Sequence, residues 1–86
     1  MDLDVYVGQH CENCQEALVI AVAARGIPGI VVRVIDWDDP QAVVPARVIA
    51  VPTYVLDQQI VSLGNPDRHT FLASLQAQAS HRERSA

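Results

Sequence analysis

Leu3-Asp4-Val5-Tyr6-Val7-Gly8-Gln9-His10-Cys11-Glu12-Asn13-Cys14-Gln15-Glu16-Ala17-Leu18-Val19-Ile20-Ala21-Val22-Ala23-Ala24 is the stretch on which the fold turns. Its first five residues alternate and are rich in strand formers, and Gly8 breaks the run, which predicts a strand over 3–7. Two cysteines separated by Glu12-Asn13 follow within a few residues. From Cys14 to Ala24 there is neither Gly nor Pro, and the segment is apolar nearly all round, as a helix packed deeply against a sheet would be. Gly26 and the pair Pro28-Gly29 end it.

Working outward, Ile30-Val31-Val32-Arg33-Val34-Ile35 is dense in β-branched residues. That predicts a strand buried on both faces, in a sheet with a parallel component. The first strand, helix and second strand form a βαβ unit with a right-handed crossover. Asp36-Trp37-Asp38-Asp39-Pro40 reads as a turn, and Gln41 to Val48 holds a short helix interrupted by Pro45. Thr53-Tyr54-Val55-Leu56 and Ile60-Val61-Ser62-Leu63 flank Asp57-Gln58-Gln59, which predicts a β-hairpin with a three-residue loop. Asn65, Pro66 and Asp67 supply an N-cap, a first-position proline and a first-turn acid for a last helix, with Phe71, Leu72 and Leu75 on its buried face. The expected class is α/β, in the order β-α-β-α-β-β-α, with a mixed four-stranded sheet flanked by helices. Residues 1–80 make one domain and residues 81–86 a polar, frayed tail.

The chain has 86 residues, half of them apolar, which is enough for one compact core. Ten acids against six Arg, with no Lys, give a net charge of −4. That balance opposes binding to a phosphate backbone and excludes nucleic acid as a partner. The longest apolar stretch of the first half, Ala17 to Ala24, is far short of the ~20 residues that span a bilayer. No basic-then-apolar leader precedes Asp2 and Asp4, so the expectation is a cytoplasmic protein with no membrane partner. A bridge between cysteines this close would constrain the unfolded chain very little, so a structural staple is a poor use of them. The C-x-x-C spacing points to redox chemistry or to metal.

The element order, with Cys11-Glu12-Asn13-Cys14 after the first strand and Val51-Pro52-Thr53 before the third, resembles the thioredoxin and glutaredoxin superfamily in its minimal form, over about residues 3–78. The resemblance implies a cis bond before Pro52, a substrate-binding role for Val51, Pro52 and Thr53, and thiol–disulfide exchange at the cysteine pair without a cofactor. Partners would be protein disulfides and a recycling reductase or dithiol. The sequence departs from the thioredoxin pattern in several places. His10 stands where Trp is usual, Glu12-Asn13 replaces Gly-Pro, and Val5 occupies the place of a buried acid. The Val-Pro-Thr order is closer to thioredoxin than to glutaredoxin, and the glutathione-binding features of glutaredoxins are missing.

Exchange needs a thiolate, and a helix N-terminus stabilises one through its unpaired N–H groups and dipole. Cys11 is therefore the expected nucleophile, with the more buried Cys14 resolving the mixed disulfide. His10 and Glu12 are expected to tune the Cys11 thiol in opposite senses, a protonated His10 lowering its pKa and the Glu12 carboxylate raising it. Trp37 and Tyr6 read as packing residues, His69 and His81 as surface residues. Arg47 and Arg68 are candidates to flank the site.

Two other readings stay open at this stage. His10, Cys11 and Cys14 are plausible soft ligands for copper or zinc, and the segment also looks like the start of a heavy-metal-associated domain, although such domains order their later elements differently. A thioredoxin-like module that holds an extended peptide beside Val51, with little turnover, is the third.

Overall fold

The computed structural model describes residues 1–85, with side chains described as far as His81. The elements are β1 (Asp2–Val7), α1 (Cys14–Ala24), β2 (Val31–Asp36), β3 (Thr53–Leu56), β4 (Gln59–Leu63) and α2 (Arg68–Ser85). The sheet order is β2-β1-β3-β4. β1 pairs parallel with β2 and antiparallel with β3, and β3 pairs antiparallel with β4, so the sheet is mixed as expected.

Alternation along the strands builds two unequal faces. Leu3 and Val5 on β1 and Tyr54 and Leu56 on β3 point to one side. There they meet Ala17, Ile20, Ala21 and Ala24 of α1 and Phe71, Leu75 and Ala79 of α2. Tyr6 and Val55 point the other way and pack with Val48, Trp37, Val44 and Val51. Both helices thus lie on one face, and the connection between β2 and β3 covers the other.

That connection corrects the expected short helix over 41–48: it runs as turns and irregular chain. Pro45 removes a backbone donor in its middle. Burial there is met by Val44, Val48 and Val51 reaching the sheet individually.

Two burial expectations are also corrected. β2 is an edge strand with one neighbour, and Val31 is 58% exposed. α1 buries one stripe, leaving Val22 65% exposed, because a two-layer domain has nothing to place against its outer side. Across the β1–β2 pair, Arg33 reaches Asp4, its register partner, at 2.7 Å, which matches the two strands side chain to side chain.

The last helix begins later than its sequence suggests. The Thr70 N–H donates to Asp67 Oδ2 at 2.9 Å, so Asp67 is the N-cap and Pro66 precedes it. Asn65 is thereby free for the tertiary role described below. The helical backbone extends through most of the segment expected to be a frayed tail; the side chains beyond His81, and Ala86, lie outside the described residues.

The hairpin turn has two residues rather than three, since Gln59 pairs with Leu56. Both turn residues have positive φ, 48° at Asp57 and 71° at Gln58, the signature of a type I′ turn made without glycine. Asp57 is retained by its side chain, which accepts the Asp2 N–H at 2.8 Å. Gln58 contributes only its carbonyl, to the Arg47 guanidinium. Replacing Gln58 by Gly relieves a left-handed conformation that costs an ordinary residue ~1–2 kcal/mol, partly offset by the greater freedom of glycine when unfolded. The expected outcome is a gain of roughly 0.5–1 kcal/mol in urea unfolding, with Gln58→Val losing stability.

Candidate functional site

The site forms where β1 ends and β3 begins. Tyr6 is in register with both Ile35 and Thr53, so the loops leaving β1 and β2 and the loop entering β3 emerge side by side. In sheets with parallel pairs, ligand and catalytic groups gather at the carboxyl ends of those strands. Gly8 is the pivot. A Cβ built on it would lie 2.8 Å from Trp37 Nε1 and 3.2 Å from Val51 Cγ2, so only a residue without a side chain lets these three loops close. The Trp37 N–H donates to the Val7 carbonyl at 2.9 Å, and the Gln9 N–H donates to Asp38 Oδ2 at 2.8 Å. The loop after β2 therefore clamps the chain just ahead of the cysteines.

Cys11 and Cys14 are joined as a disulfide with their Cα atoms 5.3 Å apart. Cys14 is the first residue of α1 and is 6% exposed, while Cys11 lies before the helix and is half-buried. The Cys14 N–H donates to the Cys11 carbonyl at 3.3 Å. Asn13, at the N-cap, makes no side-chain capping bond, so it does not compete for the first-turn N–H groups that would face a thiolate. His10 and Glu12 are exposed on the same loop, with neither side chain held by a hydrogen bond or ion pair among the described residues.

The bond between Val51 and Pro52 is cis. The Pro52 carbonyl accepts the Gly64 N–H at 2.8 Å, and the Thr53 hydroxyl, fully buried, donates to the Ala50 carbonyl at 2.7 Å. Pro52 and Thr53 thus shape the loop from within, and Val51 is the member of the trio that keeps partial exposure.

Two features of the site escaped sequence reasoning. Asn65 donates from Nδ2 to the Asn13 carbonyl at 2.7 Å and accepts the Tyr54 hydroxyl on Oδ1 at 2.8 Å. Arg68 forms a two-pronged pair with Glu16, at 2.9 and 2.5 Å, which ties the start of α2 to the first turn of α1. Arg68 therefore flanks α1 through Glu16, whereas Arg47 sits at the hairpin turn, the opposite end of the sheet. Trp37 packs on Gly8 at the rim and Tyr6 in the core, while His69 and His81 are exposed. Val5 is fully buried, so where the thioredoxin pattern has a buried acid, this chain has an apolar side chain.

The family model of the thioredoxin domain matches residues 1–76. The chain belongs to that family. No match is found among curated proteins or among solved structures. The heavy-metal alternative does not fit this thioredoxin domain: the order βαβββα is not that of the metal-associated fold. Nor do any three His, Cys, Asp or Glu side chains converge as a metal site among the described residues. No helix among them is long and apolar enough to cross a membrane.

Tyr54 is buried and linked to the cysteine loop through Asn65, and burial, with a smaller push from the Glu16 carboxylate, raises its pKa to about 12. Burial and Asp4 also raise that of Tyr6. The folded state holds both phenols neutral, so their contribution to stability is complete below the unfolded tyrosine value near ~10 and is lost as pH rises through the folded values. The chain has no Lys, so the two phenols are the side chains whose ordinary values lie at that window. Unfolding measured from pH 9 to 12 is expected to show a falling stability, with a shallower fall in Tyr54→Phe. An equal slope in the variant would contradict this assignment.

Proposed function

We propose that the domain is a thiol–disulfide oxidoreductase acting on protein disulfides in the cytoplasm, with a separate reductase or dithiol returning the pair to its starting state. The observation that carries this reading is the cysteine pair, already at bonding distance, at the head of α1 in a thioredoxin domain and beside a cis-Pro52 loop. In the reductive direction, the Cys11 thiolate attacks one sulfur of the substrate disulfide and the first substrate thiolate leaves. Cys14 then attacks Cys11 Sγ, the Cys11–Cys14 bond forms, and the second substrate thiolate is released. Two electrons pass from the dithiol to the substrate, and no cofactor is required. The difference in exposure supports the assignment of roles, since an incoming disulfide reaches Cys11 before the buried Cys14.

An apolar rim favours protein over small-molecule substrates. Ile49 is 75% exposed two residues before Val51, and Leu63, the register partner of Thr53, is 63% exposed. An extended peptide laid along Val51 would place side chains against this rim. Glu12 acts as a charge beside Cys11 rather than as a reactant, and His10 flanks Cys11 on its other side.

Reduction of insulin disulfides tests the reading. Activity is expected in the wild type and lost in Cys11→Ser, while Cys14→Ser accumulates a covalent mixed disulfide. A wild-type protein that reduces no disulfide overturns the proposal. Glu12→Gln is expected to lower the pH at which Cys11 becomes reactive to iodoacetamide, because it removes a negative charge beside the thiolate. An unchanged or higher midpoint removes Glu12 from the tuning role.

A further inference from the structure

The peptide between Asn13 and Cys14 is held at both ends. Its N–H donates to the Cys11 carbonyl at 3.3 Å, and its carbonyl accepts Asn65 Nδ2 at 2.7 Å. This is the peptide that aims the Cys14 side chain at Cys11. The same carbonyl accepts the Ala17 N–H at 3.4 Å, a long bond for the opening turn of a helix, so Asn65 is its closer partner. The Asn65 amide is itself oriented. The Tyr54 hydroxyl, on a fully buried side chain stacked edge-on against Phe71 at 5.3 Å, donates to Oδ1 and so directs Nδ2 at the cysteine loop. The tyrosine is anchored in the core, and Asn65 follows a β4 end tied to Pro52 through the Gly64 N–H.

We propose that Asn65, oriented by Tyr54, is a positioning residue for the Cys11–Cys14 pair, holding the Asn13–Cys14 peptide so that the two sulfurs stay poised to close. This rests on the exchange reading given above and adds a determinant of its equilibrium. When the disulfide is intact the turn is already ordered, and the Asn65 bond forms at little entropy cost. In the dithiol the same bond must order the turn by itself. Asn65 therefore favours the disulfide over the dithiol. A residue that merely stabilised the fold would support both forms equally and leave their ratio unchanged.

The ratio is read by equilibrating the protein with glutathione. One glutathione disulfide and the protein dithiol exchange to give the Cys11–Cys14 disulfide and two glutathione thiols, the protein losing two electrons and glutathione gaining them. Trapping by alkylation gives the constant. One hydrogen bond's worth of preference corresponds to roughly three- to ten-fold, so Asn65→Ala is expected to lower the constant for forming the protein disulfide by that factor. Asn65→Asp keeps an acceptor for Tyr54 and loses the donor to Asn13, and is expected to fall similarly. Tyr54→Phe falls less, and the Tyr54→Phe/Asn65→Ala double variant falls no further than Asn65→Ala. A wild-type constant in a folded Asn65→Asp or Asn65→Ala protein overturns the positioning role and leaves the exchange reading intact. A wild-type pair that neither equilibrates with glutathione nor reduces insulin overturns both.

Discussion

β1 is paired along both edges, parallel to β2 and antiparallel to β3, and Leu3 and Val5 on it are fully buried beneath the helices. A strand held this way cannot slip by one residue without turning its apolar side chains to the wrong face and breaking the match of Asp4 with Arg33. Its fixed register carries everything at the cysteine end. Tyr6 lies beside Ile35 and Thr53, so the chain leaving β1 meets the Trp37 turn and the Val51–Pro52 loop within a residue or two. The close approach at Gly8 is the steric consequence, and the bonds from Trp37 and Gln9 lock it.

The two faces of the sheet divide the work. The helical face supplies the larger core and presents the start of α1, where a thiolate finds unpaired N–H groups. The opposite face has no helix and is sealed by single side chains from an irregular connection. That economy frees the connection to serve the site: its first turn clamps the cysteine loop and its last residues make the cis-Pro52 segment. Polar contacts from outside α1 complete the arrangement. Glu16–Arg68 and Asn13–Asn65 both join the first turn of α1 to the segment around the start of α2. Where the thioredoxin pattern places a buried acid, the interior here offers Val5. The polar group reaching the cysteine loop from the core is the neutral Tyr54 phenol, acting through an amide.

Much of this was legible in the residues themselves, because it depends on near neighbours. A β-rich run closed by Gly8, a helix without Gly or Pro after Cys14, the β-branched run of β2 and the apolar segments of the hairpin each declare their type within a few residues. The cysteine spacing and its place between strand and helix likewise named the chemistry to be considered. What only the tertiary structure decided depends on residues distant in the chain. β2 reads from its composition as a strand buried on both faces, yet the sheet order places it at an edge. Residues 41–48 follow the needs of the sheet beneath them rather than a helical preference. Asn65 looks like a helix cap, but a Tyr54 hydroxyl eleven positions away and an Asn13 carbonyl fifty-two away claim both ends of its amide, and Asp67 caps instead. A side chain that can bond locally or at long range carries no sign of which it will do, since the choice is made by the groups that packing brings within reach.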